Sequence, residues 1–508
     1  MADKKISRAL ISVYHKDNLG PIIEALASEG VEFVSTGGTQ TFIEGLGHKV
    51  VPVESLTGYP SIFGGRVKTL HPVVFGGILY RRGHEGDEAQ ARGYDIPPID
   101  LVIVDLYPFE ETVASGDTES GIIEKIDIGG ISLIRAAAKN YEDVLVVSSR
   151  GQYPEVLRLL ESTRCRPTLR DRKHFAALAF DVTSHYDTAI FNYFNQEGGV
   201  KAFKVDIAGG MALRYGENPH QQAVYYGELE GLLEKLNGKE LSYNNLVDID
   251  AALHLLKEFE GDTAFIIIKH TNACGVATGS TVKEAYGKAL QADSVSAFGG
   301  ILCTNQPVDL AAAEEIHKLF FEVLIAPGFA PGALELLKSK PKRNLLRQKE
   351  ALKGARQFKS LLNGAVVQDF DGHTESEEDL KVVTKKKPTP EEVKAMLFAA
   401  KIAKHTKSNT IVLAAGGQML ASGVGQTSRV DALKQAIAKA KDFGFDLKGA
   451  VMASDAFFPF PDCVAIAHEH GIKAVIQPGG SIKDQDSIGF CDGHGMAMVT
   501  TGYRHFKH

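Results

Sequence analysis

The 508-residue sequence is poor in cysteine and lacks any long apolar run. Its five cysteines (Cys165, Cys274, Cys303, Cys463 and Cys491) are scattered and form no CxxC pair. That excludes a disulfide framework and a zinc knuckle, and it fits a reducing compartment. No apolar stretch approaches the roughly 20 residues that cross a bilayer. The N-terminal MADKKISRALISV has no signal-peptide h-region, so the expected location is cytoplasmic. An excess of positive charge is also missing. With 56 Lys and Arg against 63 Asp and Glu, the net charge of −7 argues against a general nucleic-acid binder. The remaining composition is globular, and the length calls for more than one domain. Glycine is the resource in supply, and many glycines fall at strand-to-helix turns, where α/β enzymes hold phosphates.

Strand and helix patterns alternate through the first ~150 residues. Strands are expected at Arg8–Val13, Val31–Ser35, Lys49–Val53, Leu101–Leu106 and Val144–Ser148. Helices are expected at Leu19–Ser28, after Gly37-Gly38-Thr39, at Ile131–Asn140 and at Arg170–Asn195. Such alternation implies a parallel sheet with helices on both faces. The paired glycines after Glu197 mark the expected boundary between a domain at 1–200 and a second at 201–508. The second begins with an irregular LRYGENPHQ segment and carries an internal echo. GSTVKEAYGKAL (Gly279–Leu290) and GQTSRVDALKQAI (Gly425–Ile437) each follow a strand and lead into another, which hints at two similar lobes. Between them, Gly372 to Pro388 carries acidic and basic runs that read as solvated surface. Thr389-Pro390 then opens a helix with an N-cap and a proline at its first position.

The chemistry gathers at strand ends. IIIKHTNACG (Ile266–Gly275) delivers Lys269 and His270 together to the mouth of an apolar strand. An ammonium beside an imidazole can stabilise an oxyanion and move a proton at neutral pH. SDAFFPFPD (Ser454–Asp462) and QTSR (Gln426–Arg429) add polar ends in the same half. Core packing is the expected role of at least one of Phe457, Phe458 and Phe460. In the first half, STGGT (Ser35–Thr39) can cradle a phosphate at a helix N-terminus, and Arg66 and Lys68 in GGRVKTLHP share a face if extended. DLYPF places Tyr107 after a buried strand. IDIGG puts Asp127 just before a helix, where simple capping competes with a chemical role, and Lys139 ends that helix.

These motifs, with RAAAKN, SAFGG, HTKSN, QPGGS and the terminal YRHF, resemble the bifunctional purine biosynthesis family along essentially the whole chain. The resemblance implies an IMP cyclohydrolase domain of methylglyoxal-synthase-like α/β fold, followed by a formyltransferase domain of two cytidine-deaminase-like lobes. It implies a multifunctional transferase and hydrolase that uses 10-formyltetrahydrofolate as co-substrate. Homodimers with formyltransferase sites at the interface are implied as well. His270 would be the base and Lys269 the oxyanion stabiliser or proton donor. Arg214, Tyr215, Gly299, Glu322, Asn409, Arg429, Phe457 and Arg504 would grip the nucleotide. Val430, Phe457, Asp462, Gly479 and Gly480 would line the folate pocket. For cyclisation the resemblance makes Lys139 the main proton carrier, beside Asp127, Lys68 and Tyr107. Ser12, Tyr14, Ser35, Gly38, Thr39, Arg66 and Thr69 would bind that nucleotide. A deaminase zinc site needs HxE and PCxxC. Nothing near His270 supplies HxE, and PFPDCVAIAHEHG lacks the second cysteine, so no catalytic metal is expected.

Overall fold

The structure is a computed structural model that describes residues 4–63, 67–352, 354 and 356–508. Arg66 lies outside the described residues. The chain falls into two compact units, Met1–Asp206 and Ile207–His508.

In the first unit, β1 (Arg8–Ser12), β2 (Glu32–Ser35), β3 (Val50–Pro52), β4 (Leu101–Val104) and β5 (Leu145–Val147) form one sheet. The order is β3-β2-β1-β4-β5, and every pair is parallel. The period of two along LVIV divides its side chains between two cores. Leu101 and Ile103 face the helices Gly20–Ser28 and Tyr153–Thr163, while Val102 and Val104 face Pro72–Leu79, Gly129–Lys139 and Leu169–Phe194. Strand order reverses between β1 and β4, so the crevice of the fold opens at the carboxyl ends of those two strands. The helix expected after Gly37-Gly38-Thr39 instead begins at Gly37. Gly37, at φ 54°, enters from the left-handed region that glycine tolerates, so the pair forms the first turn. The last helix, Leu169–Phe194, is opened by a Thr168/Asp171 capping box.

The second unit begins with a hairpin, β6 (Gly210–Ala212) and β7 (Val224–Tyr226). A repeated element follows. Its first copy contains β8 (Leu233–Asn237), β9 (Thr263–Lys269), β10 (Asn272–Gly279), β11 (Ile301–Thr304), β12 (Val323–Ala326) and β13 (Asn344–Gln348). A second hairpin, β14 (Arg356–Leu361) and β15 (Gly364–Asp369), separates it from the next copy. That copy contains β16 (Lys381–Val382), β17 (Ile411–Ala415), β18 (Gln418–Gly423), β19 (Val451–Ser454), β20 (Ala474–Gln477) and β21 (Ala497–Thr500).

The two copies join in a 12-stranded sheet ordered β16-β21-β20-β19-β17-β18-β10-β9-β11-β12-β13-β8. Read outward from the β18/β10 seam, the lobes have the same strand order and the same parallel and antiparallel pairings. The internal echo in the sequence is therefore a repeat of topology. One face of the sheet buries a core shared by both lobes under the helices Tyr243–Lys257 and Pro390–Lys404, and Phe259 and Phe398 meet there at 5.4 Å. The other face carries a separate core in each lobe. A Cβ at Gly275 would collide with the Ala289 carbonyl, and one at Gly423 with that of Ala432, so glycine sets how closely a helix packs in each lobe.

The charged stretch Gly372 to Pro388 is mostly exposed, as expected, with local exceptions. Glu375 and Thr384 are buried, and Lys381–Val382 pairs with β21 at the sheet edge. Glu375 pairs with His505 inside the unit, which periodicity cannot reveal.

Candidate active sites

The crevice of the first unit collects most of the residues expected there. Asp105, following β4, accepts from the amide of Tyr14 and, at 2.9 Å, from that of His15, locking the loop after β1 across the strand reversal. Ser35 Oγ donates to the Ile11 carbonyl at 2.6 Å, and Thr39 Oγ1 to that of Val13 at 3.0 Å. A hydroxyl has one proton to donate. Both hydroxyls are thus spent on shaping the loop, and an anion would be met by other donors.

Those donors are present. The helix Gly37–Gly45 has no side-chain cap at its N-terminus. A Cβ at Gly37 would stand 3.9 Å from Lys68 Nζ, and one at Gly38 3.7 Å from Lys16 Nζ. Uncapped amides flanked by two ammonium groups make a cradle for a phosphate. Lys16 was not singled out from the sequence. Its ammonium is fixed by the Val13 and Tyr14 carbonyls at 3.0 and 2.8 Å, a contact visible only once the loop folds.

Beside the cradle lies a site suited to proton transfer. Asp127 is buried, and its Oδ1 accepts from the Gly130 amide at 2.6 Å, so it both caps its helix and faces the crevice. Burial pushes its carboxyl above the ordinary range, and the Asp105 charge adds to the rise. The Gly130 and Tyr107 amides and the Lys68 cation oppose it. Burial and the Asp127 charge likewise raise the Tyr107 phenol, whose ring meets that of Tyr14 edge-on at 5.6 Å. Thr69 is buried against Gly129, at 3.1 Å from a Cβ placed there. Lys139 ends the helix that begins at Gly129, two residues after Asp127.

In the second unit, the strand register places the expected residues along one edge of the sheet. β9 ends there, β10 begins, β11 and β12 begin, β18 ends, β17 begins, and β19 to β21 end. Lys269 Nζ donates to the Phe298 carbonyl at 2.8 Å, and Gly299 donates to Phe320 O at 2.8 Å. Glu322 follows, with Lys239 3.6 Å from its carboxylate. His270 and Thr271 form the turn between β9 and β10. Asn272 accepts the Lys407 amide at 3.1 Å, Asn409 exchanges backbone bonds with Gln426, and Arg429 reaches Ser454 at 3.2 Å and Asp455 at 3.1 Å. Arg214 lies over the Tyr215 ring at 4.7 Å, on a loop that Asn244 ties down through Glu217 O at 3.1 Å.

The C-terminal tail is anchored at this edge. His505 N donates to Asp455 O at 3.1 Å, and Lys507 N to Ser408 Oγ at 3.1 Å. Arg504 stacks on Phe506 at 4.3 Å. Beneath it, the His505 ring is bound by Asp371 at 2.6 Å and Glu375 at 3.1 Å, and those two carboxylates raise it to about 9 against the burial that opposes them. Nearby, Glu258 accepts from Lys404 and His405, both at 2.8 Å, which draws it down to about 2 despite its burial. Of the three phenylalanines in FFPF, Phe458 is fully buried in the core, whereas Phe457 and Phe460 are exposed. Lys483 lies over the Phe460 ring at 4.5 Å, which brings the Asp462 helix start beside the Gly479-Gly480 turn. Val430 is partly buried against the core of this lobe.

All five cysteines are free and buried. Among the described residues, no group of three or more His, Cys, Asp or Glu side chains could hold a metal ion. No helix among them is long and apolar enough to cross a membrane.

Two α/β units, each with its own polar edge, have the organisation of a bifunctional enzyme. A family model described as an AICARFT/IMPCHase bienzyme matches residues 137–439, and one described as an MGS-like domain matches residues 18–132. Curated proteins named bifunctional purine biosynthesis protein PurH are similar over their full length. The one from Bacteroides thetaiotaomicron is 61% identical, covering 99% of both chains. Those from Aquifex aeolicus and Acetivibrio thermocellus are 48% and 46% identical, each over 99% of this chain and 100% of theirs. The chain belongs to the AICARFT/IMPCHase bienzyme family of bifunctional purine biosynthesis proteins.

Proposed function

We propose that the second unit transfers a formyl group from 10-formyltetrahydrofolate to 5-aminoimidazole-4-carboxamide ribonucleotide, and that the first unit closes the product to inosine monophosphate. The observation that carries the reading is the pairing of Lys269 with His270 at a turn whose backbone is held in a costly conformation. The attacking amine is conjugated with its ring, so it needs a base as the C–N bond forms and a donor for the tetrahedral oxyanion. His270 is the base. Lys269, oriented by Phe298 O, is the oxyanion donor and returns a proton to the departing folate nitrogen. Gly299, Glu322, Asn409, Arg429, Phe457 and Arg504, with Arg214 and Tyr215, grip the nucleotide. Val430, Phe457, Asp462 and the Gly479-Gly480 turn take the folate.

In the first unit the carboxamide nitrogen attacks the formyl carbon and water leaves. Asp127 and Lys68 carry the protons, with Tyr107 beside the closing ring. Lys16, Lys68 and the amides of Gly37 to Thr39 hold the phosphate. The raised pKa values of Asp127 and Tyr107 in one crevice support that choice, with Lys139 as the further proton carrier that the family resemblance implies.

The working form is a cytoplasmic homodimer. Both two-stranded hairpins support this, because β14–β15 presents every side chain to solvent, including Val366 and Val367, and β6–β7 exposes Met211, Val224 and Tyr226. A lone hairpin has no face to bury against, so a second copy is the natural cover.

The test supplies the carboxamide nucleotide with 10-formyltetrahydrofolate and follows inosine monophosphate, then repeats the assay with His270→Ala and with pre-formylated nucleotide. Loss of a general base costs about 10²–10⁴-fold in formyl transfer. Cyclisation of the pre-formylated nucleotide should be unaffected. Loss of both reactions in a folded variant would sink the division of labour.

A further inference from the structure

The turn between β9 and β10 differs from its own repeat in a way that points to an additional residue. In the second lobe the equivalent turn is Gly416–Gly417, at φ 54° and 71°, between the paired residues Ala415 and Gln418. In the first lobe it is His270–Thr271, at φ 52° and 63°, between the paired residues Lys269 and Asn272. A two-residue turn with both φ values positive suits glycine, and a β-branched threonine there is an outlier. The same fold, at the same position, thus has an unstrained solution in one lobe and a strained one in the other.

Something must hold the strained turn in place, and one carboxylate does. Asp248, from the helix Tyr243–Lys257, accepts the His270 amide on Oδ2 at 3.3 Å and the Thr271 amide on Oδ1 at 2.6 Å. The His270 carbonyl is fixed in turn, since Thr271 Oγ1 and Asn272 Nδ2 both donate to it at 2.7 Å. Asn272 is itself tied to the other lobe through the Lys407 amide at 3.1 Å. The glycine turn has no carboxylate on its amides among the described residues. Its Gly417 carbonyl accepts the Thr278 amide at 2.8 Å. What distinguishes the first lobe is therefore a clamp on the backbone of a histidine.

We infer that Asp248 is a positioning residue for formyl transfer, holding His270 in the left-handed conformation that aims its imidazole and fixing the adjacent Lys269 by the same turn. The inference rests on His270 serving as the base, as proposed above. Without the clamp the turn relaxes toward ordinary φ values, and the imidazole swings away from the reacting amine.

Asp248→Asn tests this, because the amide offers one acceptor oxygen where the carboxylate offers two. In the full-length chain, kcat for formyl transfer should fall about 10- to 100-fold, the scale set by displacing a catalytic group by an ångström. KM for the nucleotide and cyclisation by the same sample should be unchanged. Adding Thr271→Gly, which makes the turn favourable without the clamp, should restore part of the lost kcat. A purely structural defect would not be repaired that way, and the double variant serves equally if the single one folds poorly. Normal kcat in folded Asp248→Asn, with His270→Ala inactive, overturns the clamp and leaves the base intact. A deficit that Thr271→Gly does not relieve also overturns it. Full activity in His270→Ala would remove the reading on which the inference rests, whatever Asp248→Asn does.

Discussion

The His505 clamp should make the second unit lose stability in alkali. The perturbation is a rise in pH, with His505→Gln as the control that removes the titrating ring. The imidazole is buried between Asp371 and Glu375, which raise it from 6.5 to about 9. A shift of that size, at 1.36 kcal/mol per unit, corresponds to roughly 3 kcal/mol at most. Because the folded value is the higher one, the contribution is complete below about 6.5 and drains away as pH climbs through about 9. There the ring becomes neutral and can donate only one hydrogen bond between two carboxylates. The assay is thermal unfolding of wild type and His505→Gln from pH 6 to 10. The gap between their Tm values should be widest at pH 6, on the order of 5 °C, and should close above pH 9. Other titrating groups cancel in the difference. A gap that stays constant, or widens in alkali, would show that the ring is not held charged.

Three further outcomes follow from the geometry. Asp127→Asn and Lys68→Met should each stop ring closure of pre-formylated nucleotide. Lys139→Ala should let the formylated intermediate accumulate, and normal production of inosine monophosphate by that variant would rule Lys139 out as a proton carrier. Gly423→Ala drives a methyl into the Ala432 carbonyl, and overpacking of this kind costs about 1–3 kcal/mol or more. Formyl transfer should then be lost at a lower temperature than in wild type while cyclisation persists, and an unchanged Tm would refute the close contact. Formyl transfer per chain should fall on dilution whereas cyclisation holds steady, as followed by both rates alongside sedimentation. Undiminished transfer by a demonstrated monomer would contradict the shared-site reading.

Much of this architecture was legible because buried parallel strands announce themselves as apolar runs. Leu101–Val104 reads as a strand because both faces are covered, and the Thr389-Pro390 helix start was marked by its own capping residues. What stayed hidden depends on contacts distant in sequence. Lys16 is an unremarkable lysine until Val13 and Tyr14 turn their carbonyls toward it, and Asp248 is one acid on an amphipathic helix until two amides 22 and 23 residues away reach it. Within the charged stretch after Gly372, the burial of Glu375 stayed hidden for the same reason, since it is paired with a histidine 130 residues further on.

The repeat explains why the second unit has one edge rich in chemistry rather than two. β10 and β18 run antiparallel at the seam, so equivalent features of the lobes fall on opposite edges of the sheet. One edge combines the β9–β10 turn of the first lobe with the carboxyl ends of β19, β20 and β21 in the second. The other combines the Gly416–Gly417 turn with the carboxyl ends of β11, β12 and β13. A duplicated lobe would at first offer both edges the same groups. On the second edge the turn is now two glycines, and Asn305, just past β11, spends its side chain on backbone groups at Phe259, Asp262 and Ala264. On the first, the turn carries His270 at a backbone cost of about 1–3 kcal/mol per strained residue. A cost that one lobe avoids with glycine persists in the other only where the histidine's position is worth more than the stability given up. That difference between two copies of one fold in a single chain supports the proposed working edge.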